Sequence, residues 1–179
     1  MKYGKYLTIA AFALALTSCL KDDDDNSDWR TLNDAYVAAA QIQEENGVKT
    51  FTEVKPVWAP DSYILMRWHN DREKTSGNLS PLENSTVNVN YSVTDIKGNM
   101  IDNSYASTVY GDSIYQTQPC KNIVGFWAAL TQMKVGDKTT VIVPYTAGYG
   151  TVDYGAIPAY STLVYNIELR SIPAFQVNR

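Results

Sequence analysis

Between residues 124 and 172 the chain reads VGFWAALTQMKVGDKTTVIVPYTAGYGTVDYGAIPAYSTLVYNIELRSI, and that order of elements constrains the fold more than any other stretch. A short aromatic-rich helix at 124–133 is followed by a β-run at 138–144, a Tyr-Gly loop, an Ile-Pro turn and a last β-run at 161–171. Upstream, TVNVNYSVTD (86–95) sets Val87, Val89, Tyr91 and Val93 on one side and Asn and Ser on the other, the period of two of a half-buried strand. Residues 63–68, YILMRW, form another strand, and 50–57 a weak one cut by Pro56 and Pro60. The stretch 71–85 is turn-rich, and Lys97-Gly98-Asn99 reads as a turn. One short helix set among antiparallel strands gives an α+β domain, with no internal repeat.

A further helix is predicted over 28–46. Ser27 is its expected cap, and Asp28 sits in the first turn, where the helix dipole favours negative charge. Trp29, Leu32, Tyr36, Ala39 and Ala40 fall on one face, and Gly47 is the expected stop. This helix is expected to pack on its own domain, which makes the chain a monomer rather than a dimer.

The first 18 residues do not read as part of the fold. Lys2 and Lys5 precede an apolar run from Leu7 to Leu16 that is too short to span a bilayer. Leu16-Thr17-Ser18-Cys19 then resembles the cleavage site of a bacterial lipoprotein signal, which implies lipidation of Cys19; a plain secretory signal with a coincidental Cys is the other reading. Several acyl chains on one residue would anchor the protein firmly, at about 0.8 kcal/mol per buried methylene. Membrane attachment is expected through this lipid alone. Residues 19–27 form an acidic tether whose four consecutive aspartates repel one another and resist burial. The Lys-Asp-Asp run after Cys19 resembles a display signal for the outer face of the outer membrane in one group of Gram-negative bacteria; a plain solvated spacer is the alternative.

Without residues 1–18, 161 residues remain, carrying 13 Lys+Arg against 19 Asp+Glu, a net charge of −6. That length supports one domain with a sizeable core. The acidic balance excludes a nucleic-acid surface as the main function. Cys120 is left as the one thiol besides Cys19, so no intrachain disulfide forms, and it is expected to be a small buried apolar residue. His69 is the lone histidine, which leaves no set of metal ligands, and no nucleophile turn or phosphate loop is present. No cofactor or metal is expected.

Four signals then stand in order: Met133-x-x-Gly136, Tyr149-Gly150, Ile157-Pro158 and Thr162-Leu163-Val164-Tyr165. Together they resemble the FKBP-type peptidyl-prolyl isomerases over about residues 62–172, and VNVNYSVTDIKGNMIDNS adds a fainter upstream match. The resemblance implies an FKBP-like domain in which an antiparallel twisted sheet wraps one short helix. The domain then runs over 62–172, after an N-terminal helix and linker at 28–61 and before a tail at 173–179. It also implies catalysed rotation about X-Pro bonds of exported or surface polypeptides, binding of the family's macrolide inhibitors, and an outer-membrane location set by Cys19.

By the same resemblance Tyr91, Ile101, Phe126, Ile157 and Tyr165 would line a proline slot, with Phe126 as its floor. Ile123 would offer its N–H and Tyr149 its hydroxyl to the substrate, and Asp102 would form a polar wall. Trp127 replaces Phe126 at the floor if the alignment slips by one residue. Asn122 opens a polar corner, Asp153 and Tyr154 make a wide polar entrance, and the sequence just before Tyr149-Gly150 suggests a bulge. Two other functions remain open: a catalytically weak binding or chaperone module on the same fold, and an accessory lipoprotein that holds glycans or a partner at an outer-membrane uptake complex.

Overall fold

The computed structural model describes residues 25–105 and 113–176. The expected signal segment, Cys19 and most of the acidic tether lie outside these residues. Helix α1 spans Asp25–Ile42 and is followed by a hairpin of β1 (Glu44–Glu45) and β2 (Val48–Lys49). Strands β3 (Thr52–Val54), β4 (Ile64–Trp68), β5 (Thr86–Thr94), β6 (Met100–Asn103) and β7 (Tyr115–Thr117) come next. Helix α2 (Val124–Gln132), β8 (Lys138–Val143) and β9 (Leu163–Ala174) complete the chain. All seven strands from β3 to β9 belong to one antiparallel sheet, in the order β3-β4-β8-β9-β5-β6, with β7 also on β5. Two helices on this sheet make the α+β, FKBP-like arrangement that the sequence implied. Among the described residues no helix is long and apolar enough to cross a membrane.

The sheet carries a core on each face. Ile64 and Met66 of β4 and Val141 and Val143 of β8 point toward α2, where Ala129 and Leu130 are fully buried. Leu65 and Ile142, one residue out of phase, point the other way and meet Val37 and Ala40 of α1. Period-two alternation therefore puts apolar residues on both faces of β4 and β8, which read as unbroken runs, ILM and VIV. Covering Leu65 and Ile142 contributes about 1.5–3 kcal/mol each, so α1 is part of the fold. The outer face of β5 and β9 is polar instead. There Asn88 donates to Ser171 Oγ, and next to it Thr140 of β8 donates to Asn166 Oδ1.

Helix α1 departs from its sequence-based limits. It starts at Asp25, so Ser27 is helical and not a cap; its carbonyl accepts a bond from Thr31 Oγ1 at 2.9 Å. Acidic residues suit the first turn of a helix, and the helix extends into the tether accordingly. At the other end it stops at Ile42, because Asn46 (φ 55°) and Gly47 (φ 76°) form the two-residue turn of the β1–β2 hairpin and not a helix stop. The buried face also differs. Asn33 and Val37 are buried, while Leu32 is 46% exposed and Ala39 faces solvent.

Asn33 docks the helix. Its Oδ1 accepts the Thr162 N–H at 2.6 Å and its Nδ2 donates to Trp29 O at 2.8 Å, while Trp29 Nε1 donates to Ser161 Oγ at 2.9 Å. Strand β3, upstream of residue 62, pairs with β4 and forms one edge of the sheet. The Met133-x-x-Gly136 signal is the turn from α2 into β8. Gly136 takes φ 93° there, a value that favours glycine, and donates to Leu169 O at 2.8 Å.

Candidate active site

Aromatic side chains from β5, β7, α2 and β9 converge at one end of the sheet. Phe126 is 3% exposed and stands edge-on to Tyr91, with ring centroids 5.7 Å apart, and 5.1 Å from Tyr165. Tyr115 meets the other edge of Tyr91 at 5.4 Å. These rings, with Asp102, Lys121, Asn122, Ile123, Tyr149 and Tyr154, line a concavity of about 330 Å³. That volume lies at the small end of ligand sites and suits one ring with its flanking amides. A second concavity of about 230 Å³ is lined by His69, Asn90, Tyr91, Tyr105, Asn166 and Glu168 among others, without Phe126 or Tyr165.

The polar groups of the aromatic concavity fall into two kinds. Some are already engaged: the Tyr91 hydroxyl donates to Asp102 Oδ2 at 2.5 Å, and Asp102 Oδ1 accepts the Asn103 N–H at 2.8 Å. Others have no partner among the described residues, namely the Tyr149 hydroxyl and the Ile123 N–H. Burial raises the Tyr149 phenol above its ordinary range, with Tyr154 and Asp102 adding to the effect, so it keeps its proton at neutral pH and can donate. Burial does the same to Tyr91, helped by the bond to Asp102, and to Tyr165. Tyr149 is held by its neighbours: its ring stacks on Tyr154 at 4.1 Å and 9°, and Gly150 N donates to Tyr145 O.

A family model for FKBP-type peptidyl-prolyl cis-trans isomerases matches residues 77–170. The chain belongs to the FKBP-type peptidyl-prolyl cis-trans isomerase family. This is a family of isomerase enzymes. Among its relatives, the FkpA isomerase of Buchnera aphidicola (subsp. Acyrthosiphon pisum) is 32% identical over 136 residues, which is 73% of this chain and 51% of that protein. FK506-binding protein 1 of Gibberella zeae is 36% identical over 77 residues, 42% of this chain and 67% of its own. The chain spans about half the length of the Buchnera FkpA proteins it matches. The crystal structure of Escherichia coli FkpA superposes with a TM-score of 0.67 at 23% identity, over 85% of this chain and 62% of that one. A Pseudomonas syringae isomerase structure gives 0.66 at 20%, over 85% and 98%.

Within this FKBP-type domain, seven of the ten pocket residues expected from sequence line the concavity: Tyr91, Asp102, Ile123, Phe126, Tyr149, Tyr154 and Tyr165. Three do not. Ile101 sits at the irregularity where β5–β6 register shifts between Val93 and Thr94, and it packs on the core. Ile157 also packs on the core and bridges to Tyr154, supporting the rim from behind. Trp127 turns away and stacks on Trp58 with centroids 3.7 Å apart, so Phe126 alone is the floor. Gly125 sets this rotation of α2 by lying directly against Val143 of β8.

Smaller expectations also change. Asn122 lines the concavity as expected, but its Nδ2 is taken up by Gln118 O at 2.7 Å, with Thr117 Oγ1 and Pro119 O nearby. The expected bulge before Tyr149-Gly150 is a 3-10 turn at Tyr145–Ala147. Asp153 is exposed on the rim loop but does not line the concavity; its Oδ1 accepts the Ala159 N–H and ties the loop. Cys120 is half-buried and its Sγ donates to Asn84 Oδ1 at 3.1 Å, so it is more than an apolar filler. Sequence reasoning missed Tyr115 and Lys121. No local pattern marked Lys121, which lies in the 3-10 turn Pro119–Lys121 just before α2.

Proposed function

We propose that this protein is a peptidyl-prolyl cis-trans isomerase for exported polypeptides, attached to the outer membrane through lipidated Cys19. The observation that carries the catalytic reading is the aromatic-floored concavity lined by two donors that have no partner among the described residues, the Tyr149 hydroxyl and the Ile123 N–H. The chemistry asks for no covalent step. Amide resonance gives X-Pro rotation a barrier of about 18–20 kcal/mol. Water stabilises the charge-separated planar amide, so moving it onto Phe126 and the tyrosine edges disfavours that ground state. Hydrogen bonds from Ile123 and Tyr149 to flanking carbonyls would hold the peptide while the bond twists. Each 1.36 kcal/mol gained in the twisted state over the planar one is worth about tenfold in rate.

The deciding assay is cis-to-trans relaxation of short Xaa-Pro-Phe peptides with purified protein. Acceleration that a family macrolide abolishes supports the isomerase. A folded protein that accelerates none of several peptides overturns it and leaves a binding module. The anchor has its own test. Cys19→Ser should move the protein from the membrane to the soluble fraction, and continued membrane fractionation would refute lipidation at Cys19. Protease accessibility on intact cells distinguishes surface display from a periplasmic face.

A further inference from the structure

Lys121 is the one cation among the residues that line the concavity. Four other described lysines are occupied, Lys55 by Glu53, Lys138 by Glu168, Lys97 over Trp29 and Lys134 by Ser76 O, while Lys49 and Lys74 lie away from the concavity. The Lys121 side chain is exposed and has no ion-pair or hydrogen-bond partner among the described residues. It does not reach Asp102, the one carboxylate of the same wall, whose oxygens already accept bonds from Tyr91 and Asn103.

The platform beneath Lys121 is rigid. Residues Pro119–Lys121 form a 3-10 turn with Pro119 buried at its start, and Cys120 N donates to Glu83 O at 3.0 Å. The Asn122 amide ties the turn from beneath through Gln118 O. From there the backbone is extended, with Asn122 at φ −115°, ψ 173° and Ile123 at φ −56°, ψ 153°. Lys121 and Ile123 both line the cavity, two residues and about 7 Å apart along the chain. A carboxylate at Lys121 then belongs to a residue next to the proline when Ile123 holds a carbonyl of the same peptide.

We infer that Lys121 is a specificity-determining residue that selects polypeptides with an acidic side chain adjacent to the proline. The inference rests on the isomerase reading of this cavity. It is tested with Ala-Xaa-Pro-Phe peptides (Xaa Leu, Glu, Gln or Lys) and with Ala-Leu-Pro-Glu and Ala-Leu-Pro-Gln, comparing kcat/KM, or Kd from tyrosine fluorescence if turnover is slow. The Glu peptide should exceed its Gln counterpart by about two- to fivefold in at least one position, the range of an exposed ion pair. The preference should fade in 1 M salt, where screening acts within about 3 Å.

Lys121→Glu should reverse it in favour of the Lys peptide. An equal Glu-to-Gln ratio in wild type and Lys121→Glu at both positions overturns the inference. Turnover of the Leu peptide in that case leaves the isomerase reading standing. If no peptide is bound or turned over, both readings fall together.

Discussion

Asn33→Ala tests whether α1 is held to the domain as described. Asn33 is fully buried, and its Oδ1 is the acceptor for the Thr162 N–H across 129 residues of chain. Thr162 is itself 1% exposed, so water does not readily replace the lost acceptor. A buried donor left without a partner costs about 1–3 kcal/mol. The second bond, Asn33 Nδ2 to Trp29 O, is local to the helix and counts for less. Alanine is the better helix former and returns about 0.5 kcal/mol. The net expectation is a loss near 2 kcal/mol, or about 4–8 °C in Tm for a domain of this size.

Urea unfolding followed by tryptophan fluorescence measures it, since Trp29 sits in the same contact through Ser161 Oγ. A change below about 0.5 kcal/mol would refute the reasoning. It would mean that the Thr162 N–H finds another partner or that α1 is not docked in solution. Retention of a cooperative transition with unchanged m-value would show that the helix is weakened and not released.

Three other outcomes are expected. Tyr149→Phe removes one hydroxyl that bonds nothing among the described residues, so stability should hold while isomerase activity falls about two- to tenfold, the worth of one hydrogen bond; equal activity would remove Tyr149 from the site. Gly125→Ala places a Cβ 2.3 Å from Val143 Cγ1, in a buried and β-branched side chain that cannot rotate aside. Overpacking of about 1–3 kcal/mol should exceed the roughly 1 kcal/mol gained in helix propensity, and a stabilised variant in urea would contradict the close contact. Burial alone would raise the Asp137 carboxyl, but hydrogen bonds from Thr75, the Lys134 N–H and Asn70, with Arg72 alongside, hold it below its ordinary value. Its contribution is therefore present above the unfolded value of about 3.9 and lost as pH falls through the lower folded one. Asp137→Asn should flatten acid unfolding in that window, and an unchanged acid profile would argue against the network.

The candidate site was legible where chemistry and periodicity agree. Tyr91 follows from the alternation of TVNVNYSVTD, and Tyr149 and Tyr165 from the Tyr-Gly and Thr-Leu-Val-Tyr signals. Neighbouring positions were not separable in this way. Phe126 and Trp127 differ by one step on a short helix that is apolar all round, and only the approach of Gly125 to Val143 decides which ring faces the tyrosines. Ile101 and Asp102 are likewise adjacent on a strand, and the register shift at Val93 and Thr94 decides which of them reaches the cavity. A bulge leaves no reliable mark in sequence because many residues fill it.

What the sequence by itself determined is the two helices, the main strands at 63–68, 86–95, 138–144 and 161–171, the turn at Gly98, and the resemblance to the family, since these follow from local periodicity, turn chemistry and spaced motifs. Tertiary structure decided the rest. The unbroken runs ILM and VIV say that both faces of β4 and β8 are covered, but not by what. Helix α1 fills that place because a buried asparagine, Asn33, meets a backbone N–H that β9's lead-in leaves free. The same long-range packing sets Lys121 beside Ile123 and Tyr149 in one cavity. Contacts between residues so far apart depend on how the sheet curls, and no local pattern encodes that.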